Sequence, residues 1–534
     1  MNIDLNSLLQ TPAGNAWRNI GIHPHHGINV YLSALHSIDS CGIGEFLDLL
    51  PVMNFCMNVG FDVIQLLPLN DSGYDPSPYN ALSSLALNPI HLSLWALPWL
   101  QEKQEHRPPL LEKLSSLRAY SLLPRVAYRD VLATKIRWLR EYFDFFRAAI
   151  ATDQEFQLFK DAHPWVETYA LFKTLKEKFD HASWESWPTD YQKFDSNKRS
   201  QLIEEFKDSI EFYSLLQHLC FMQLKQLRSF ADRHGLLLMG DIPILVSRDS
   251  VDVWHVPQLF NLRFAAGAPP DFYCKEGQYW GFPLFDWEAM RLDDYRFWRE
   301  RMRYASEFYH LYRIDHAVGF FKIWGIPLGK ASSYGHFVPS DPTRWISQGE
   351  HLLSMILASS NMLPIAEDLG AVTKEIRVCL ARLGIPGTKV MRWMRNYDDH
   401  EEYLPYDQYP PLSLCCVSTH DSETLTLWWC DFVEEAKAFA KFKGWDYIPI
   451  LDEEKRLEIL KDCHASPSLF HINLLQEYFA FFPELIAKDP NDERINIPGK
   501  LLPTNWSYKY HTPIEVWTKH QPLQLLFKEI LAKT

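Results

Sequence analysis

The chain has 534 residues and 47% hydrophobic content, enough to bury a large core. A net charge of −14, with no long Lys/Arg run, excludes the basic footprint of a nucleic-acid partner and leaves room for a neutral substrate. Nine scattered cysteines without a C-x-x-C predict reduced thiols, and the N-terminus lacks the basic start and apolar stretch of a signal peptide. The densest apolar run, LSLWALPWL at 92–100, is too short to span a bilayer. A soluble, cytoplasmic protein with no membrane partner is expected. The 19 Trp could supply flat faces for sugar rings, although most such rings are expected in the core.

Short β-rich runs recur along the chain, several of them ending in acidic residues. In order they are INVYLSAL (28–35), FDVIQLLPL (61–69), GLLLMGDIPILV (235–246), FYHLYRIDHAVGF (308–320), MLPIAEDL (362–369), TKVMRWM (388–394) and SLCCVSTHD (413–421). An eighth strand is expected near INIPGKLLPTNW (495–506). Near-continuous apolar runs are how strands buried on both faces of a parallel sheet read. Helical patterns such as EIRVCLARLG, closed by Gly384, lie between them. Strand–helix alternation over eight units predicts the α/β class and a single (β/α)8 TIM barrel over 1–534 with inserted helical subdomains. Residues 91–234 read as an inserted helical subdomain. Residues 247–307, with GAPPDFYCKEGQYWGFPLFDW, read as an active-site loop insertion.

In a barrel, chemistry sits at the C-terminal ends of the strands. Asp241, Asp315, Glu367 with Asp368, and Asp421 all close predicted strands. Paired carboxylates flanking a bond are what glycoside cleavage needs: one ionised to attack, one protonated to expel the leaving oxygen. Arg313 and Asp315 stand two apart and share a strand face, so the arginine favours an ionised Asp315 and makes it the better nucleophile. Glu367 follows an apolar strand, where partial burial holds a proton, as an acid/base group requires. His420 beside Asp421 is a donor–acceptor suited to sugar hydroxyls. A single strand-end acid is about as often a helix cap as a functional group; three in succession are not.

At these residues the chain resembles glycoside hydrolase family 77, and the resemblance runs nearly end to end. SIDSCGIGEFLDL (37–49), YDPSPYNALSSLALNPI (74–90), GDIPILVSRDSVDVW (240–254), GAPPDFYCKEGQYWGFP (267–283), RIDHAVGF (313–320), IAEDLG (365–370), STHDSETL (418–425) and INIPGKLLPTNW (495–506) carry it. The resemblance implies a 4-α-glucanotransferase that moves a segment of an α-1,4-glucan to a glucose or glucan acceptor by retaining double displacement. It implies Asp315 as nucleophile, Glu367 as general acid/base and Asp421 as transition-state stabiliser, with Arg313 and His420 as their partners. Tyr79, Asp241, Gln278, Trp280, Ser77, His316 and Asn505 are implied as sugar contacts, and the 267–277 loop as a cover over the glucan. No cofactor and no catalytic metal are implied. Ala317, Val318, Phe282, Phe285 and Leu245 depart from the family's usual residues, which bears on subsites and leaves the three acids intact.

Other motifs are set aside. His23, His25 and His26 cluster but have no later partner at finger or protease spacing. Asp39, Gly42, Gly44 and Glu45 read as a turn and helix cap, since no Lys-Ser/Thr follows to make a phosphate loop. Cys274 reads as a small loop residue and Trp428 with Trp429 as packing. The competing functional readings are an α-amylase-type hydrolase with the same acids and a silent glucan-binding protein.

Overall fold

Eight parallel strands close into a barrel in this computed structural model, which describes residues 5–100, 108–270, 275–370, 372–396 and 402–532. The strands are β1 (His25–Val30), β2 (Val63–Leu66), β3 (Leu237–Pro243), β4 (Leu311–Asp315), β5 (Leu363–Ala366), β6 (Gly387–Val390), β7 (Ser413–Cys416) and β8 (Phe470–Leu474). They stand around the ring in chain order, and β8 pairs with β1 to close it. Alternate side chains point in and out. Val63, Met239, Leu311, Leu363, Ile365, Val390, Leu414, Phe470 and Ile472 fill the interior as one buried cluster. Their neighbours Ile64, Leu238, Ile242, Tyr312, Ile314 and Cys415 face the surrounding helices. Both faces are dry, which is why the strands read as unbroken apolar runs.

Seven predicted strands overlap the observed ones, and the eighth does not. Residues 495–506 form no strand; β8 is Phe470–Leu474. Pro498 and Pro503 cannot donate to a ladder and Gly499 has φ 73°, so that motif is built to turn. β1 begins three residues earlier than expected, because His25 and His26 are polar in sequence yet sit in the ladder. Beyond it the chain leaves through a turn at Leu32–Ala34.

Between β2 and β3 lie helices Pro108–Leu117, Tyr128–Ala151, Gln154–Ala162, Trp165–Lys178, Ser196–Glu205 and Lys207–His234. Tyr128–Ala151 is amphipathic: Val131, Leu132, Trp138, Leu139, Tyr142, Phe143, Phe146 and Ile150 are buried. The same helix buries Lys135, whose ammonium donates to Glu45 at 2.8 Å and to the carbonyls of Ile90 and Leu92 at 2.7 Å each. A buried charge is tolerable only when so fully satisfied, and this one ties the helix to the loop after β1. Glu45 also forms a reciprocal capping box with Asp48, the cap its sequence suggests. Lys207–His234 ends at Gly235 with φ 68° and feeds straight into β3. Gly384 ends Lys374–Leu383 in the same left-handed way. Trp428 and Trp429 are core residues. No helix among the described residues is long and apolar enough to cross a membrane.

The 247–307 segment contributes two strands to a small four-stranded antiparallel sheet. Phe264–Ala268 pairs with Gln278–Tyr279 on one side and with Ile323–Pro327 on the other, and Ile323–Pro327 pairs with His336–Val338. Gly277, just before Gln278–Tyr279, has φ 70°. Gly267 serves close approach: a Cβ there would lie 2.0 Å from the Gln278 carbonyl oxygen. Cys274 lies outside the described residues.

Candidate active site

Strand register brings the charged residues together. Asp241 on β3 and Ile365 on β5 are both Cα partners of Arg313 on β4, and all three positions face the interior. Two residues on, the interior-facing positions are Asp315 and Glu367. The apolar filling of the barrel therefore stops one layer below a layer of charge.

Arg313 is the hub. Its Nη1 donates to both oxygens of Asp241, at 2.8 and 3.1 Å. Its Nη2 reaches Asp315 Oδ1 at 2.9 Å and Glu367 Oε2 at 3.2 Å. Two oxygens that share one nitrogen at those lengths lie no more than about 6 Å apart, which accommodates the roughly 5–5.5 Å carboxyl spacing of retaining glycosidases. Glu367 Oε2 also accepts the backbone N–H of His316 at 2.7 Å. His316 adopts φ 49° in the left-handed region, an uncommon backbone for a residue with a Cβ, and one that occurs in the same turn that aims its N–H at Glu367. With Oε2 taken by two donors, Oε1 is the oxygen left to carry a proton.

Burial pushes the Glu367 carboxyl up to about 7; Arg313 opposes the rise, Asp315 reinforces it, and the His316 N–H opposes it. Asp241 is fully buried, and burial pushes its carboxyl to about 6 against the pull of Arg313. Asp421 goes the other way. Burial works to raise it, but His420, Asn496 and Arg313 outweigh burial and hold the carboxyl well below the usual range. Asn496 Nδ2 donates to Asp421 Oδ1 at 2.7 Å, and His420 Nε2 stands 3.4 Å from Oδ2.

Tyr79 completes the layer. Its hydroxyl donates to Asp241 Oδ2 at 2.8 Å and lies 3.0 Å from His420 Nε2, whose ring stacks on the tyrosine at 5.4 Å and 11°. The hydroxyl has one proton, already given to Asp241, so it accepts from His420 and fixes a proton on Nε2. Trp280 meets His316 edge to face at 4.9 Å and donates to Gln278 Oε1 at 3.0 Å, which connects the hairpin to the acids.

The remaining expected contacts are less central. The backbone N–H of Ser77 is bound to Asp75 in the turn before Tyr79. Asn505 spends its carboxamide on its own loop, bonding Ile497 and Lys500. Asp368, which shares a strand end with Glu367, is buried against Lys389 and the Thr388 N–H. Sequence reasoning passed over Asn496 and Trp506. Both lie in the INIPGKLLPTNW motif, and the Trp506 ring stands 5.6 Å from Tyr79 and 5.9 Å from His420. It also passed over Arg494 and Glu423, an ion pair whose arginine donates to the Asp421 carbonyl and whose carboxylate also accepts from Arg392.

A (β/α)8 barrel whose mouth holds two carboxylates on one arginine nitrogen, one of them buried and proton-retaining, has the architecture of retaining enzymes acting on glycosidic bonds. The sequence profile of the family described as 4-alpha-glucanotransferase matches residues 30–515. Relatives named 4-alpha-glucanotransferase from Chlamydia caviae and Chlamydia muridarum are 41% and 42% identical, covering 99% and 98% of this chain and 98% of each relative. The amylomaltase of Streptococcus agalactiae, solved in complex with acarbose, superposes with a TM-score of 0.79 at 22% identity, covering 95% of this chain and 98% of that one. The chain belongs to glycoside hydrolase family 77, the 4-alpha-glucanotransferases.

Proposed function

We propose that this chain transfers a segment of an α-1,4-glucan to a glucose or glucan acceptor by double displacement, with Asp315 as nucleophile, Glu367 as acid and base, and Asp421 as an ionised stabiliser. The observation that carries the reading is the shared Arg313 nitrogen, which puts Asp315 and Glu367 within reach of one glycosidic bond. In the first step Asp315 attacks the anomeric carbon. The bond to the bridging oxygen breaks, and that oxygen takes the Glu367 proton as the reducing-end piece departs. A covalent glycosyl-enzyme remains. In the second step Glu367 takes the proton of an acceptor hydroxyl, whose oxygen forms the new bond as Asp315 is released. Asp421, fixed by Asn496 and His420, keeps its charge where the sugar ring becomes cationic.

Transfer requires a sugar hydroxyl to outcompete water. Trp280 on its hairpin and Tyr79 with Trp506 on the other side offer apolar faces that would hold an acceptor and exclude solvent. The proposed setting is the cytoplasm, with maltodextrins as donors. Incubation with maltotriose tests this: a ladder of longer maltodextrins is expected, whereas glucose and maltose in equal yield would identify a hydrolase. Asp315→Asn should abolish glucose release while the fold is kept, and near-normal turnover would remove Asp315 from its role.

A further inference from the structure

The end of the barrel opposite the acids carries a second constellation. His26 and His471 are Cα partners across the β1–β8 seam, where the first and last strands close the ring. Both side chains point outward, toward the helix Glu453–Ala465, which supplies His464. The rings of His26 lie 4.8 Å from His471 and 5.1 Å from His464. One ring nitrogen from each histidine falls within 4.8 Å of the others. In sequence the histidines at 23–26 offer no partner at metal-binding spacing; the fold supplies two from more than 400 residues downstream.

The proton inventory of this cluster is unusual. His471 Nε2 lies 3.0 Å from the Ser466 carbonyl, which can only accept, so Nε2 holds the proton and Nδ1 presents a lone pair. That Nδ1 is buried and has no hydrogen-bond partner. His26 Nδ1 and His464 Nδ1 stand 2.9 Å apart, a distance that one shared proton bridges. His464 Nε2 is meanwhile held by the Tyr478 hydroxyl at 2.7 Å. An ion between His26 and His464 would displace that shared proton and take both Nδ1 lone pairs. Three imidazoles, two of them with far nitrogens oriented by a hydroxyl and a carbonyl, make the donor set and outer shell of a zinc site.

We propose that His26, His464 and His471 bind one divalent transition ion of the zinc class, which pins the barrel seam to the Glu453–Ala465 helix. Tetrahedral zinc at about 2.0–2.1 Å from each nitrogen sets N···N distances near 3.3 Å, so the rings need shift only by roughly an ångström or less. His26 is the one partly exposed member and marks the way in. Water would occupy the fourth position. The neighbouring group His23, His25 and Asp62 is the alternative on the inner side of the same strand, and it offers two imidazoles and a carboxylate.

The test uses the full-length chain, stripped with a chelator and dialysed against buffered micromolar Zn2+. One equivalent of zinc is expected, with X-ray absorption reporting three imidazole ligands. His464→Gln should lose the metal, His23→Gln should keep it, and the metal-loaded chain should melt at a higher temperature than the stripped one. Zinc below stoichiometry in the wild-type chain, or a bound ion with two imidazoles and a carboxylate, would overturn the proposal. Should His464→Gln fail to fold, the ligand count on the wild-type protein decides alone.

Discussion

Replacing Glu367 by Gln should make the protein more stable at alkaline pH while removing its activity. The carboxyl titrates at about 7 in the folded chain, against an ordinary value of 4.5. A group raised on folding contributes its full stabilisation below its unfolded value and loses it as pH climbs through the folded one. At 1.36 kcal/mol per pK unit, wild-type stability falls by about 2–3 kcal/mol between pH 5 and pH 8 through this residue alone. Glutamine keeps an oxygen for the His316 N–H and for Arg313 but never ionises, so the variant escapes the loss. Unfolding entropy of about 2 cal/mol/K per residue gives about 1 kcal/mol/K for 534 residues, so the effect appears as roughly 2–3 °C. The assay is thermal unfolding of both proteins from pH 5 to pH 8, with the difference in Tm plotted against pH. The gap should widen in favour of the variant as pH rises. Parallel curves would show that Glu367 does not retain a proton in the folded state, and the acid role assigned to it would fall with that result.

Arg313→Met should leave buried Asp241 and Glu367 without their cation, costing about 3–5 kcal/mol, or roughly 3–5 °C in Tm, and more than ~10³ in kcat; unfolding scans and initial rates on maltotriose check both. Asn496→Ala removes a charge-assisted hydrogen bond worth about 1.5–3 kcal/mol, so kcat should drop about 10–100-fold. Because Asn496 helps hold Asp421 ionised, the acid limb of the variant's pH–rate profile should also move to higher pH. Tyr79→Phe takes the donor from Asp241 and the acceptor from His420, and should cost about 1–3 kcal/mol of stability along with activity; unchanged unfolding would place the hydroxyl outside the network.

Much of the site could be read from the sequence because strand periodicity does the placing. Arg313 and Asp315 are two apart, so they share a face in any strand, and an Asp or Glu after an apolar run ends at the barrel mouth once the barrel is inferred. What sequence could not supply were contacts made by loops. Asn496 reaches Asp421 across 75 residues through a segment that looked like a strand because of its Ile and Leu. The true eighth strand, FHINL, is only five residues long and carries a histidine and an asparagine facing outward into a polar pocket between layers, so its apolar signal is weak. The same polarity hid the start of β1. Positions where a strand carries buried polar groups are thus both the hardest to assign and, at the seam, the most informative.

The charge balance of the mouth explains why one acid keeps a proton. Among the described residues Arg313 is the one fixed cation that touches Asp241, Asp315 and Glu367, and Asp421 lies close enough to raise Glu367 further. A single positive charge cannot offset that many carboxylates in a buried layer, so the cluster holds a proton near neutral pH and the surroundings decide where. Asp421 is excluded by His420 and Asn496, which favour its charge. Asp241 has both oxygens on Arg313 and the Tyr79 hydroxyl besides. Glu367 has only the outer nitrogen, shared with Asp315, and one backbone N–H. Burial lifts it to about 7, above Asp241 at about 6, so the proton goes to it. In the proposed mechanism Asp241 therefore serves the chemistry through Arg313: it absorbs one side of the guanidinium and leaves the proton to Glu367. Asp241→Asn should accordingly free Arg313 for Glu367, lower the Glu367 pKa, and shift the alkaline limb of the rate profile to lower pH. An alkaline limb that stays near pH 7 in that variant would show that burial alone, and not competition for Arg313, sets the proton.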